Sequence, residues 1–142
     1  MKNTQLIQSR LRHFTVLLVC AAAWNIAGAA LVLINLPEHI RLFFGPDAIL
    51  DNRIAMINTV GFWGQVILFG IGYLIVAINP LKNHAVIALA IAGKIAVFFM
   101  WTWCWVQGYL TVVALFGGVG DLLFAGLLAW FLIHVRRDMQ VE

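Results

Sequence analysis

The sequence predicts an all-α membrane protein, an antiparallel bundle of four transmembrane helices with a short interfacial helix after the first span. Two observations lead to this prediction. The chain of 142 residues is 63% hydrophobic and only 11% charged, whereas a soluble domain has about 25% charged residues. Uncharged apolar runs of about 20 residues also recur along the chain, as expected for helices that cross a bilayer.

The limits of the four spans follow from where the apolar runs begin and end. Pro37 ends the first run and Pro80 follows the second, because proline cannot continue the interior of a helix. The third and fourth runs meet at a tight turn, Gln107–Gly108–Tyr109. The whole chain, residues 1–142, is predicted to be one domain with spans at about 14–36, 54–78, 85–106 and 109–135.

Two segments outside the spans are predicted to lie at the membrane surface. Residues 1–13 are polar and basic, which is typical of a short helix on anionic headgroups. Residues 37–53 mix aromatic and charged side chains around the turn signal Gly45–Pro46–Asp47, which favours a short interfacial helix. We favour passive contact of this helix with lipid over a cap on the mouth of the bundle.

The basic residues predict the orientation of the chain. They do not form one basic face, so the net charge of +3 does not indicate nucleic acid as a partner. The positive-inside rule places both termini and the loop between the second and third spans in the cytoplasm. The residues that set this orientation are Lys2, Arg10, Arg12, Lys82, Arg136 and Arg137.

Two charged residues interrupt the last two spans. Lys94 lies 14 residues before Gly108, and Asp121 lies 13 residues after it. At about 1.5 Å of rise per residue, both reach roughly 20 Å from the turn. Ionisable groups inside a membrane face a partner or a wet cavity, so we expect these two to meet. With Asn25 and Gln65 near the midpoints of the other spans, they predict one polar layer.

Two interpretations of this layer stay open. In the structural one, the ion pair and the amides only fix the register of the bundle. In the functional one, the layer binds the polar head of a lipid-like or quinone-like molecule. The apolar remainder of that molecule is then predicted to lie among Trp24, Trp63, Phe69 and Phe98.

Other chemistry-bearing residues give weaker signals. His13, His84 and His134 are predicted at the cytoplasmic ends of helices and are weak metal candidates, but their spacing is that of no known motif, so no metal site is predicted. No histidine lies deep in a span, which argues against a bis-histidine haem, and the sequence specifies no cofactor. Cys20 and Cys104 are predicted to be free thiols.

Tryptophans cluster at the predicted outer end of the third span, in Trp101–Thr102–Trp103–Cys104–Trp105. Such rings usually sit at headgroup level as an aromatic belt, which is the interpretation we favour. A cage of indoles around a ligand is the alternative.

Three hypotheses for function follow. The first is a non-enzymatic binding or accessory protein, which holds a lipophilic molecule or docks in a homo-oligomer or larger membrane complex. The second is a membrane enzyme with Lys94 and Asp121 as acid and base, which requires an open gap between them for a substrate. The third is a proton or ion path in an oligomer, for which only Asn58 and Thr59 add polar groups on the outer side.

A family resemblance is carried by two segments, GYLIVAINPLKNHAVIALAIAGKIAVF and GGVGDLLFAGLLAWFL. They resemble small bacterial four-helix membrane proteins of the DoxX-like type. The resemblance implies a compact up-and-down bundle in a bacterial inner membrane, acting as a partner of redox or other membrane enzymes, and it brings no catalytic residue. It rests on Gly72–Tyr73, Pro80, His84, Gly93–Lys94 and Gly120–Asp121.

Overall fold

The architecture is that of a computed structural model, which describes residues 2–49, 52–80 and 82–139. Within these residues, every helix except the second is long and apolar enough to cross a membrane. The predicted all-α bundle of four membrane-spanning helices with a short helix after the first span is therefore confirmed. The helices are α1 (Lys2–Ile34), α2 (Leu36–Phe44), α3 (Arg53–Ile78), α4 (His84–Val106) and α5 (Val112–Met139).

Two antiparallel helix pairs build the bundle. Helix α1 packs along α3, and α4 packs along α5, while the two pairs meet mainly through α1 and α5 and only slightly through α3 and α4. Gly70 allows the close approach of α1, because a Cβ atom there would lie 2.5 Å from Cγ1 of Ile26 and 3.1 Å from the carbonyl oxygen of Ala22. The looser contact between the pairs leaves space in the middle of the bundle.

A dense apolar core closes one end of the bundle. It is formed by residues 14–22 of α1, the beginning of α4 and the later parts of α3 and α5, which the antiparallel arrangement brings together. The rings of Phe14 and Phe131 stack there. The buried members of this core are Phe14, Leu18, Ala21, Ala22, Tyr73, Val76, Ile87, Ala90, Leu128 and Phe131.

The ends of two helices differ from the prediction. Helix α1 is continuous from Lys2 to Ile34, so a separate interfacial helix over residues 1–13 is wrong for the part that is described. No proline or glycine interrupts that segment, and nothing therefore stops the helix. Helix α5 begins at Val112 rather than near Tyr109, because the turn before it extends over Gly108, whose φ of 77° favours glycine.

The short helix α2 is fixed to the start of α5. The backbone N–H of Thr111 donates to the carbonyl oxygen of Phe43 at 2.7 Å, and the Thr111 hydroxyl donates to that of Leu42 at 2.6 Å. Ile40 is buried against the bundle. Helix α2 therefore caps the mouth of the bundle, and the interpretation that it only lies on lipid is wrong.

Alanine substitution of two glycines tests the close approach of α1 and α3. Gly70→Ala is expected to destabilise the protein by about 1–3 kcal/mol, because the added methyl group overpacks against Ile26. Gly126→Ala has open space around its Cβ position and is expected to stabilise the fold by up to about 1 kcal/mol through better helix propensity. Thermal unfolding in detergent measures the stability of both variants relative to wild type. A change in stability in the same direction for both would contradict the packing of α1 against α3.

Candidate functional site

A buried ion pair lies between the two helix pairs. The ammonium of Lys94 on α4 contacts Oδ1 of Asp121 on α5 directly and donates to Oδ1 of Asn25 on α1 at 3.1 Å. The Asn25 amide in turn donates to the carbonyl oxygen of Val66 on α3 at 3.5 Å. The predicted meeting of Lys94 and Asp121 is therefore confirmed, and one network reaches all four long helices.

Aromatic rings complete the surroundings of the ammonium. The Nζ atom of Lys94 lies 5.7 Å from the ring centroid of Tyr73 and 5.6 Å from that of Phe124. The negative faces of such rings attract a cation within about 6 Å. Lys94 is only 5% exposed, so a carboxylate, an amide and two rings together replace the water it has lost.

Gln65, the fourth predicted member of the polar layer, stands apart from this network. It is exposed on α3, and its amide makes no hydrogen bond with any residue that the structure describes. Its neighbour Val66 faces α1 and accepts the bond from Asn25. Gln65 nonetheless lines the same cavity as Lys94 and Asp121, so the structure brings the four predicted polar residues to one space without joining all of them.

A cavity of about 550 Å³ opens beside the network, between the two helix pairs. Its walls are mostly apolar and come from all four long helices. Phe69 lines it as predicted, but Phe98 does not and instead lies against Gly118. The other predicted ligand-binding residues on its wall are Trp24, Asn25, Trp63, Gln65, Lys94 and Asp121.

A smaller cavity of about 280 Å³ lies toward α2 and shares several wall residues with the larger one. The shared aromatic cluster includes Phe43 on α2, whose ring centroid lies 5.9 Å from those of both Trp63 and Trp101. Trp101 therefore faces the cavities, whereas Trp103 and Trp105 are exposed as expected for an interfacial belt. The belt interpretation therefore does not extend to Trp101 and stays a prediction for Trp103 and Trp105.

Two glycines of α5 allow tryptophans to lie against the helix. A Cβ atom at Gly117 would lie 2.8 Å from the ring of Trp101, and one at Gly120 would collide with the ring of Trp24. The prediction from sequence favoured an interfacial belt for Trp101 and did not assign it to the cavity. A signal was available, since Trp101 follows Lys94 by seven residues and so shares its helix face.

The geometry counts against two of the alternative functions. Acid–base catalysis by the pair requires space for a substrate between Lys94 and Asp121, and their direct contact leaves none. An ion path requires polar groups on both sides of the layer. The described core beyond the network is apolar, with Leu18, Ile87 and Leu128 almost completely buried.

The histidines and cysteines do not line the larger cavity, although His39 and Cys104 line the smaller one. No three His, Cys, Asp or Glu side chains among the described residues are grouped to hold a metal ion, so His13, His84 and His134 are not brought together. The rings of His13 and His134 each donate to a backbone carbonyl one turn earlier in the same helix. Cys20 and Cys104 are free thiols, as predicted.

Comparisons of the chain with protein families, with curated proteins and with solved structures each found no match. The fold and the site therefore define the class on their own. The chain is a multi-pass membrane protein in which a buried ion pair forms part of the wall of a largely apolar cavity.

Removing one or both charges tests how the pair is coupled. Lys94→Met is expected to destabilise the protein by about 3–5 kcal/mol, because it leaves the Asp121 carboxylate buried without a partner. The double variant Lys94→Met, Asp121→Leu is expected to lose less stability than the single variant, since no lone charge remains. Thermal unfolding in detergent compares them, with the exposed Lys82→Met as a control that changes little. Equal losses in the single and double variants would show that the two charges do not interact.

Proposed function

We propose that this chain binds a lipophilic small molecule within the bilayer. The polar head of the molecule is held by Asn25, Gln65, Lys94 and Asp121, and its apolar part lies along the indoles of Trp24 and Trp63. One observation carries the proposal. A single cavity is lined by the joined polar groups of Asn25, Lys94 and Asp121 and by the separate amide of Gln65, while its other walls are mostly apolar and aromatic. Small-molecule sites in proteins have this composition.

The size of the cavity supports a small molecule rather than a protein segment. Its volume of about 550 Å³ falls within the range of roughly 300–1,000 Å³ that is usual for ligand sites. The ion pair also supports this assignment, because ionisable groups in a membrane segment are costly and mark functional sites by default. A pair that only fixed helix register would need no cavity beside it.

The side of the bundle between α3 and α4 supports access from the lipid. These helices touch little, and Gln65, Phe69 and Gly93 both line the cavity and are exposed on the surface. A Cβ atom at Gly93 would meet nothing within 4 Å. A lipophile dissolved in the bilayer can therefore reach the network sideways, without crossing an aqueous phase.

An accessory role extends the proposal. The resemblance to DoxX-like proteins supports a subunit that presents its lipophilic ligand to a redox or other enzyme in a larger membrane complex, or that works as a homo-oligomer. The absence of a gap between Lys94 and Asp121 also favours binding over catalysis by this pair. Blue native electrophoresis of gently solubilised membranes tests the role, and migration of the chain only as a monomer would contradict it.

A bacterial inner membrane with both termini in the cytoplasm is the proposed setting, supported by the distribution of basic residues. In a variant without native cysteines, a membrane-impermeant maleimide is expected to label Asp47→Cys in intact spheroplasts, because the connection between α2 and α3 faces outward. Asn83→Cys, in the loop before α4, is expected to react only after permeabilisation. The opposite labelling pattern would overturn the orientation.

Filling the cavity tests the binding proposal. Gly93→Leu places a branched side chain in the cavity wall, so a co-purified lipophile should fall several-fold relative to wild type. Gly126→Leu is the matched control, because Gly126 is also an exposed helix glycine with open space at its Cβ position but does not line the cavity. Native mass spectrometry and solvent extraction quantify the lipophile. Equal retention by the two variants would refute binding at this cavity.

A further inference from the structure

The polar part of the larger cavity carries no net charge. Lys94 and Asp121 are in direct contact and neutralise each other, and the other polar side chains on the wall, the amides of Asn25 and Gln65 and the phenol of Tyr73, are uncharged. None of the other described residues that line the cavity is Lys, Arg, Asp or Glu. A ligand with a charged head would therefore leave an uncompensated charge in a region of low dielectric, which is costly.

Of the two charged groups, the one that is more open to a ligand is a hydrogen-bond acceptor. The side chain of Lys94 is 6% exposed, whereas that of Asp121 is 20% exposed. Lys94 occupies only Oδ1 of Asp121, and no residue in the described part of the chain donates to Oδ2. Because an ionised carboxylate only accepts hydrogen bonds, a head that reaches this oxygen must be a donor.

Gln65 adds the complementary group. Its amide lies on the same cavity wall and has both donors and an acceptor without partners among the described residues. A hydroxyl group has one donor and two acceptor lone pairs. A hydroxyl head can therefore donate to an acceptor such as Asp121 and accept from a donor such as Gln65 without adding charge.

We infer that the cavity selects a neutral lipophile with a hydroxyl head, a lipophilic alcohol or phenol, over anionic and cationic amphiphiles. This inference rests on the proposed function, since it specifies the ligand of the same cavity. A carboxylate head has no donor and faces the charge of Asp121. An ammonium head donates but is repelled by the adjacent ammonium of Lys94, which already lies over the rings of Tyr73 and Phe124.

Four probes that share the oleyl chain and differ only in their head group test the selection. Oleyl alcohol, oleyl methyl ether, oleate and oleylamine are added to the purified wild-type protein in detergent, at a pH at which the last two are ionised. Quenching of tryptophan fluorescence and native mass spectrometry measure binding. Oleyl alcohol is expected to bind at least about tenfold more tightly than each of the others, which corresponds to about 1.4 kcal/mol.

The outcomes separate the inference from the function on which it rests. If no probe binds, the proposed function itself fails. If the methyl ether binds as tightly as the alcohol, or if either charged probe binds best, the inference is overturned while ligand binding stands. Because the wild-type protein alone decides between these results, the test does not depend on the folding of any variant.

Charge variants give a second, directional test. Asp121→Asn leaves a net positive patch. The affinity for oleate relative to that for oleyl alcohol should therefore rise by about tenfold or more. Lys94→Met leaves a net negative patch and should move the preference toward oleylamine. Asp47→Asn, which removes an acid outside the spans, is the control and should keep the wild-type order. Unchanged selectivity in an Asp121→Asn variant that remains folded would also overturn the inference.

Discussion

The contact between Lys94 and Asp121 is the interaction on which the rest of this bundle depends. An ammonium in hydrocarbon requires a partner, and here its partners come from separate helices, Asp121 on α5 and Asn25 on α1. The contact therefore fixes the register within the pair α4–α5 and holds that pair against α1. Helices α3 and α4 make few contacts with each other, which explains the open space beside the polar network.

Much of the fold could be predicted from sequence because bilayer thickness and the cost of buried charge are strong constraints. Nearly equal spacing from Gly108 was enough to predict that Lys94 meets Asp121. Helix limits were less certain, since the polar start of α1 contains no residue that breaks a helix, and composition alone cannot show whether such a segment bends onto the membrane. The role of α2 was missed because it depends on hydrogen bonds from Thr111, which is distant in sequence.

The site was predictable in its polar part and less so in its aromatic part. Polar residues in an apolar helix are few, so Asn25, Gln65, Lys94 and Asp121 were conspicuous. Tryptophans near a helix end have an ordinary interfacial explanation. Trp101 differs from Trp103 in that it shares the helix face of Lys94 and packs against Gly117 of α5. The direction in which the Gln65 side chain points depends on which face of α3 meets α1. That face is set by Gly70 and its contact with Ile26.

The cap formed by α2 has a consequence for how the cavity is filled. With α2 over one end and the apolar core at the other, the remaining route to the cavity is through the side of the bundle. For the ligand that we propose, the relevant concentration is therefore its mole fraction in the bilayer. Lipophiles partition strongly into membranes, gaining about 0.8 kcal/mol for each buried methylene group. A site supplied in this way reaches high occupancy with modest intrinsic affinity, and its occupancy follows membrane composition rather than the aqueous solution.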